Sequence, residues 1–255
     1  MDRGAECEYL EWDSEFFGKR IGRLTVSRLD EALANQLEDW CLEQRIDCVY
    51  FLADSSDPET TSVAQSRGFR FVDARITLER GLSRINREAG GNAGDDEAPF
   101  SLRRAEESDI PALREMARTA HLDSRFYFDE HFPRERCNEL YETWIERSCR
   151  GWVDSVFVAE EGETAAGYIT CDIKDARRGQ IGLVGVSEKA RGKGVGTRLV
   201  SQAVLWFRKQ AMERISVVTQ GRNVRAQRLY QRCGFEVSAL EIWFHRWFVE
   251  GERKK

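Results

Sequence analysis

From residue 181 onward, apolar and polar positions fall into an order that predicts four elements in succession. Ile181, Leu183, Val184 and Val186 make an apolar run of strand length. The turn Arg191-Gly192-Lys193-Gly194-Val195-Gly196 ends it. From Thr197 the apolar positions Leu199, Val200, Ala203, Val204, Phe207 and Ala211 recur at helical spacing, which predicts a helix over 197–212. A second strand follows over 215–219, then Asn223 and a helical pattern over 224–232 closed by Cys233, Gly234 and Phe235.

Upstream, the same periods give a strand over 100–103, a helix capped by Asp109 that runs through Ala120, and a helix that starts at Pro133 or Arg134. Cys137, Leu140, Tyr141, Trp144, Ile145 and Cys149 share one face of the latter. Segments 153–160 and 166–175 form a hairpin around Glu161-Gly162-Glu163-Thr164, and 237–248 a last strand. In the first third, Leu29, Leu33, Leu37, Trp40 and Cys41 mark an amphipathic helix, with strands over 48–53 and 69–78. Residues 82–98 are polar and glycine-rich and read as a linker between a domain over 1–81 and one over 99–250, with a charged tail at 251–255. A long loop within one domain is the alternative, which loop-length statistics disfavour.

Ala64-Gln65-Ser66-Arg67-Gly68-Phe69, with Ile76 and Arg80, aligns with Tyr230-Gln231-Arg232-Cys233-Gly234-Phe235, with Ile242 and Arg246, at a constant spacing of 166 positions, from Gly68 to Gly234. The first copy has Ala64 in place of Tyr230, and no glycine turn precedes it. It reads as a shortened relative of the second half; chance similarity over so short a window is the alternative.

Composition narrows the function classes. The 255 residues, 41% hydrophobic and 33% charged, suffice for a core. A net charge of −5 argues against a surface for nucleic acid. No apolar run reaches membrane-spanning length and the acidic opening lacks a signal-peptide profile, so the expectation is a cytoplasmic protein without membrane association. Seven cysteines, odd in number and without a Cys-x-x-Cys pair, indicate neither disulfides nor a metal.

A glycine-rich turn between a buried strand and a helix start leaves backbone N–H groups and the positive end of the helix dipole open to an anion, so Arg191–Gly196 reads as a pyrophosphate grip. A ligand-free surface turn carries the same pattern, and the dinucleotide and P-loop signatures are both missing. The turn R-x-x-G-x-G at 191–196 followed by N-x-x-A-x-x-x-Y-x-x-x-G-F (Asn223, Ala226, Tyr230, Gly234, Phe235) resembles the Gcn5-related N-acetyltransferase (GNAT) family over 101–248. The resemblance implies an α/β (α+β) acyl-CoA N-acyltransferase fold, a mixed central sheet flanked by helices. A smaller, shortened α/β domain of the same kind, with no CoA site, would precede it. It also implies acetyl-CoA as cosubstrate, direct attack of an amine in a ternary complex, and no metal.

By the same resemblance, the main chain of Leu183, Val184, Gly185 and Val186 holds pantetheine and thioester, with Val186 at the thioester carbonyl. Arg191, Gly192, Lys193, Gly194, Val195, Gly196 and Thr197 hold the pyrophosphate. Asn223 and Ala226 contact the pantetheine, Asn223 doubling as a helix N-cap, and Tyr230 protonates the departing sulfur; a core tyrosine is the alternative. A finer similarity, carried by Leu10-Glu11-Trp12-Asp13-Ser14-Glu15-Phe16-Phe17-Gly18, Ser124-Arg125-Phe126, Tyr141-Glu142-Thr143-Trp144-Ile145 and the C-terminal half, is to members that acetylate a nucleotide-linked 4-amino sugar.

On that reading 121–133 lies at the acceptor. Arg125, Phe126, Tyr127 and Phe128, with His131 and Phe132, offer a floor for base and sugar and a cation for a diphosphate, or else a ring cluster that docks the loop on the core. Asp172, Asp175, Glu241, His121, His131 or a water chain is left open as the base. Two other readings stand beside this one: another amine acceptor (protein, polyamine, amino acid or antibiotic), or a CoA-binding sensor without turnover. The apolar last strand completes the sheet internally or pairs across a homodimer.

Overall fold

A computed structural model describes residues 6–82 and 100–248. The expected linker, apart from Leu82, and the tail lie outside the described residues. In order, the elements are β1 (Cys7–Tyr9), α1 (Glu11–Phe17), β2 (Ile21–Leu24), α2 (Glu31–Glu43), β3 (Cys48–Asp54), α3 (Pro58–Ser66), β4 (Arg70–Gly81), β5 (Ser101–Arg104), α4 (Ile110–Ala120), α5 (Arg134–Arg147), β6 (Ser155–Glu161), β7 (Thr164–Ile173), β8 (Arg178–Val186), α6 (Val195–Lys209), β9 (Arg214–Gln220), α7 (Val224–Arg232) and β10 (Glu236–Trp247). They build one mixed sheet in the order β1-β2-β3-β10-β4-β9-β8-β7-β6-β5. Only β2–β3 and β8–β9 run parallel among its described pairs.

Alternation along the strands divides the core. On one face, α6 and α7 pack over Ile169, Cys171, Ile181, Ile215 and Val217, and α2 and α3 over Val49, Phe51 and Phe244. The other face carries Tyr50, Val156, Val158 and Tyr168, covered by α1, α4, α5 and the segment after α4. Gly179 has its place because Phe207 of α6 lies over it: a Cβ there would stand 2.3 Å from that ring.

Several expected boundaries move for local reasons. α6 begins at Val195 because Gly194, in the left-handed region (φ 87), turns the chain into it, and it ends at Lys209 because Ala211 takes φ 59. The hairpin turn tightens to Gly162-Glu163, with Gly162 at φ 64. Asp109 precedes α4 but does not cap it: its carboxylate accepts both Arg103 Nη groups, each at 2.7 Å, and the Glu106 N–H. β1, α1 and β2 are additions, too short for a period to reveal, whereas α3 is the helix that the echo of 230–235 at 64–69 implies.

The pairing of the last strand is internal. β10 enters between β3 and β4, while β4 enters between β10 and β9. The echo in sequence becomes an echo in space: β3, α3 and β4 have the same lengths and spacing as β9, α7 and β10, every boundary displaced by the same 166 positions (48 to 214, 81 to 247). The β4–β10 register respects that displacement. Ile76↔Leu240 is matched by Ala74↔Ile242, Thr77↔Ala239 by Asp73↔Trp243, and the bulge at Val237/Ala239 by the one at Trp243/Phe244. Arg75 faces Glu241, its own counterpart, and their side chains pair at 3.1 Å on the resulting pseudo-two-fold axis. Each half thus lends its final strand to the other, and the two expected domains share one sheet.

Candidate active site

The described pairing of β8 with β9 ends at Ile181↔Val217, although β8 runs on to Val186 and β9 to Gln220. Past that point the strands splay. On the β7 side, a register shift after Ile169 marks a bulge in β8, where Leu183 N–H donates to Thr170 Oγ1 at 2.7 Å. The Leu183 amide, expected to hold pantetheine, is therefore already engaged. Gly185 has Tyr168 lying across it, since a Cβ there would fall 2.4 Å from that ring.

A cleft of about 720 Å³ opens beside the splay, lined by Val186, Ala190, Arg191, Gly192, Gly194, Val195, Gly196, Thr197, Arg225, Leu229 and Arg232. Gly192 (φ 79) and Gly194 (φ 87) hold a left-handed backbone, and a Cβ on either would project into open space. With no side-chain cap on α6, its first amides and dipole face the cleft. That combination fits an anion. The flanking charge is not quite the expected set. Arg191 lines the cleft, but Lys193 reaches back to Glu161 at 3.2 Å. Arg225 and Arg232 supply the further cations; seven residues apart on one face of α7, they were legible as a periodic pair, and sequence reasoning passed over them.

Asn223 caps α7, its Oδ1 accepting from Ala226 N–H at 3.0 Å. Ala226 packs partly buried against the core. Two turns into α7, Tyr230 is 5% exposed and packs on Phe235, and burial pushes its phenol well above the usual range. It keeps its proton at neutral pH and is equipped to give one away, not to take one. Val184 packs against the same core from β8.

The four expected acceptor residues divide. Phe126 is 1% exposed and belongs to the core, while Phe128 is 54% exposed with the Arg222 guanidinium 3.5 Å above its ring. Tyr127 donates its hydroxyl to Asn138 Oδ1. Arg125 lies across Trp243 (4.2 Å), Phe126 (4.3 Å) and Tyr50 (4.9 Å), contacts that pack the segment onto β3 and β10.

The candidates left open as base are engaged elsewhere. Asp172 pairs with Lys174, Asp175 with Arg178, Glu241 with Arg75 and His131 with Asp129. His121, neutral because burial lowers it to about 4, contacts the Tyr168 hydroxyl at 2.8 Å. Asp73 on β4 was missed. Among the described residues its Oδ1 is the one buried carboxylate oxygen without a hydrogen-bond partner, and Arg222 stands 3.7 Å away, outside hydrogen-bond range. Burial raises Asp73 to about 6, the Arg222 charge only partly opposing. Nothing in the polar pattern of β4 singled it out, because its setting comes from β10 and from the chain after β9.

A model of the Acetyltransferase (GNAT) family matches residues 113–235, the stretch that holds the splay, the cleft and α7. That stretch is of the GNAT family. The chain is an acetyl-transferring enzyme, and the family's acyl donor is acetyl-CoA. This acetyltransferase is 28% identical over 247 residues to dTDP-fucosamine acetyltransferase of Escherichia coli O6:H1, covering 95% of this chain and 98% of that one. It is 29% identical over 148 residues to the spore coat polysaccharide biosynthesis protein SpsD of Bacillus subtilis, covering 58% of this chain and 51% of the relative. The crystal structure of a GCN5-related N-acetyltransferase from Sphaerobacter thermophilus superposes with a TM-score of 0.63 at 17% identity, over 94% of this chain and 76% of that one, a likeness of fold. Among the described residues no helix is long and apolar enough to cross a membrane, and no cluster of metal-ligating side chains occurs.

Proposed function

We propose that this acetyltransferase moves acetyl from acetyl-CoA to a primary amine, and that the amine belongs to a nucleotide-linked 4-amino sugar. The observation that carries the acceptor is the similarity to dTDP-fucosamine acetyltransferase, which runs through both halves of the chain and not the coenzyme cleft alone. The similarity to a polysaccharide biosynthesis protein points the same way.

On this reading the glycine turn and the α6 amides seat the diphosphate, with Arg191, Arg225 and Arg232 neutralising it. The pantetheine lies in the splay, where Val186 offers its amide to the thioester carbonyl. The amine nitrogen attacks the carbonyl carbon, a C–N bond forms as the C–S bond breaks, and Tyr230 gives its proton to the leaving sulfur. The proton shed by the amine passes to Asp73, directly or through water. The N-terminal half binds no coenzyme: at α2, the counterpart of α6, the Asp30 carboxylate already caps the first turn (2.7 Å from Leu33 N) and Glu31 adds another negative charge.

The test is purified protein with acetyl-CoA and a panel of amines, reading free thiol. Turnover with dTDP-4-amino sugars ahead of polyamines, amino acids, peptides and aminoglycosides is the expected result. Preference for another class replaces the acceptor and keeps the chemistry. Coenzyme binding without thiol release from any amine would leave a sensor.

A further inference from the structure

We propose that His245 and Asp129 are positioning residues that hold Arg125 in place as the anion-recognising group of the acceptor site. The proposal rests on the acceptor reading above, and its geometry is that of a chain. Asp129 is buried and receives four donors: His245 Nδ1 at 2.6 Å, Trp247 Nε1 at 2.8 Å, His131 Nδ1 at 2.8 Å and the His131 backbone N–H at 3.1 Å. Its negative charge follows from them, since burial alone would raise the carboxyl and these bonds bring it well below the usual range. On the far side of the ring, Arg125 Nε donates to His245 Nε2 at 3.2 Å.

A guanidinium has only donors, so His245 Nε2 must be the accepting nitrogen and the ring proton must sit on Nδ1, toward Asp129. Burial keeps the ring neutral at ordinary pH, as the chain requires. The order Arg125 to His245 to Asp129 therefore fixes one tautomer and one guanidinium direction. It uses a single N–H of Arg125. The Nη1 and Nη2 groups have no hydrogen-bond partner among the described residues and are not enclosed, so the paired donors remain available to a phosphate or diphosphate. Stacking on Trp243, Phe126 and Tyr50 sets the plane, and His245 sets the rotation within it. The same residues tie the segment after α4 to β10.

Two amides separate this role from plain stability. His245→Asn keeps a polar group at the Nδ1 position facing Asp129 and removes the acceptor for Arg125. His245→Gln places one near Nε2 and so retains that acceptor. Trp247→Phe removes a donor to Asp129 without touching Arg125. We expect His245→Asn to raise the Michaelis constant for whichever amine the panel identifies by about tenfold or more, as Arg125→Ala does, while that for acetyl-CoA stays within about twofold. His245→Gln should recover most of the loss, Trp247→Phe should leave both constants near wild type, and adding His245→Asn to Arg125→Ala should cost nothing further. Equal effects of Trp247→Phe and His245→Asn, or full additivity with Arg125→Ala, would overturn the proposal. A substrate-independent reading comes from nitrogen NMR of the full chain. An Nδ1–H tautomer at His245 supports it, and an Nε2–H or doubly protonated ring at neutral pH rejects it even if no amine is turned over.

Discussion

As the proposed acid, Tyr230 has to hold its phenolic proton, and burial secures that far above neutral pH. Tyr230→Phe keeps the ring and its packing on Phe235 and removes the proton alone. We expect turnover to fall by about 10²–10⁴-fold with the acetyl-CoA dissociation constant nearly unchanged, measured by thiol release and calorimetry. Asp73, the proposed proton acceptor, would work in the opposite sense. With its carboxyl raised to about 6, the basic form exists above that pH and is lost as pH falls through it, so kcat/KM should decline on the acid side of about 6, on top of the amine's own titration. In Asp73→Asn the extra decline should vanish and turnover at pH 8 should be low; a profile identical to wild type removes Asp73 from the proton path. Tyr230 was legible from Asn223 and Gly234-Phe235 in register around it. Asp73 was not, since a carboxylate on an alternating strand announces nothing until β10, Arg222 and the acceptor segment enclose it.

Among the elements, the α6 turn carries the coenzyme reading most directly. Gly194 at φ 87 makes room by conformation, not by avoiding neighbours, because a Cβ there would have no other atom within 4 Å. Gly194→Val should therefore strain the turn by about 1–2 kcal/mol, and should raise the acetyl-CoA Michaelis constant about tenfold with little change in the amine's. A matched rise in both constants would mean that the turn does not act on the coenzyme alone. The helical and strand periods showed where α6, β9, α7 and β10 lie, but their ends depend on turns such as Ala211 at φ 59, which no period encodes. Cleft charge was half legible for a similar reason: Arg191 stands in the motif, whereas Arg225 and Arg232 matter because α7 turns their face toward α6.

For the molecule as a whole, the repeat at 166 positions was visible in a handful of residues, and its meaning was not. Only the sheet order shows that the copies exchange strands. Arg75 and Glu241 test the axis between them. They are half-buried, so the pair is worth little in isolation. Even so, Arg75→Glu and Glu241→Arg should each lower the melting temperature by about 2 °C by placing like charges opposite one another, and the double exchange should restore it. Additive losses in the double variant would show that the two positions are not equivalent.

The crossing of β4 and β10 has a consequence for how such a chain diversifies. On the proposed acceptor site, a pocket wall borrowed from the opposite repeat would let substitutions in the N-terminal copy retune what the enzyme accepts, while the copy that carries the glycine turn stays untouched. The same crossing offers an alternative partner, since a neighbouring molecule presents the same β3 and β4 edges to β10. At high protein concentration, during refolding, interlocked pairs with composite catalytic centres are the expected by-product, and gel filtration of refolded protein across a dilution series would reveal them.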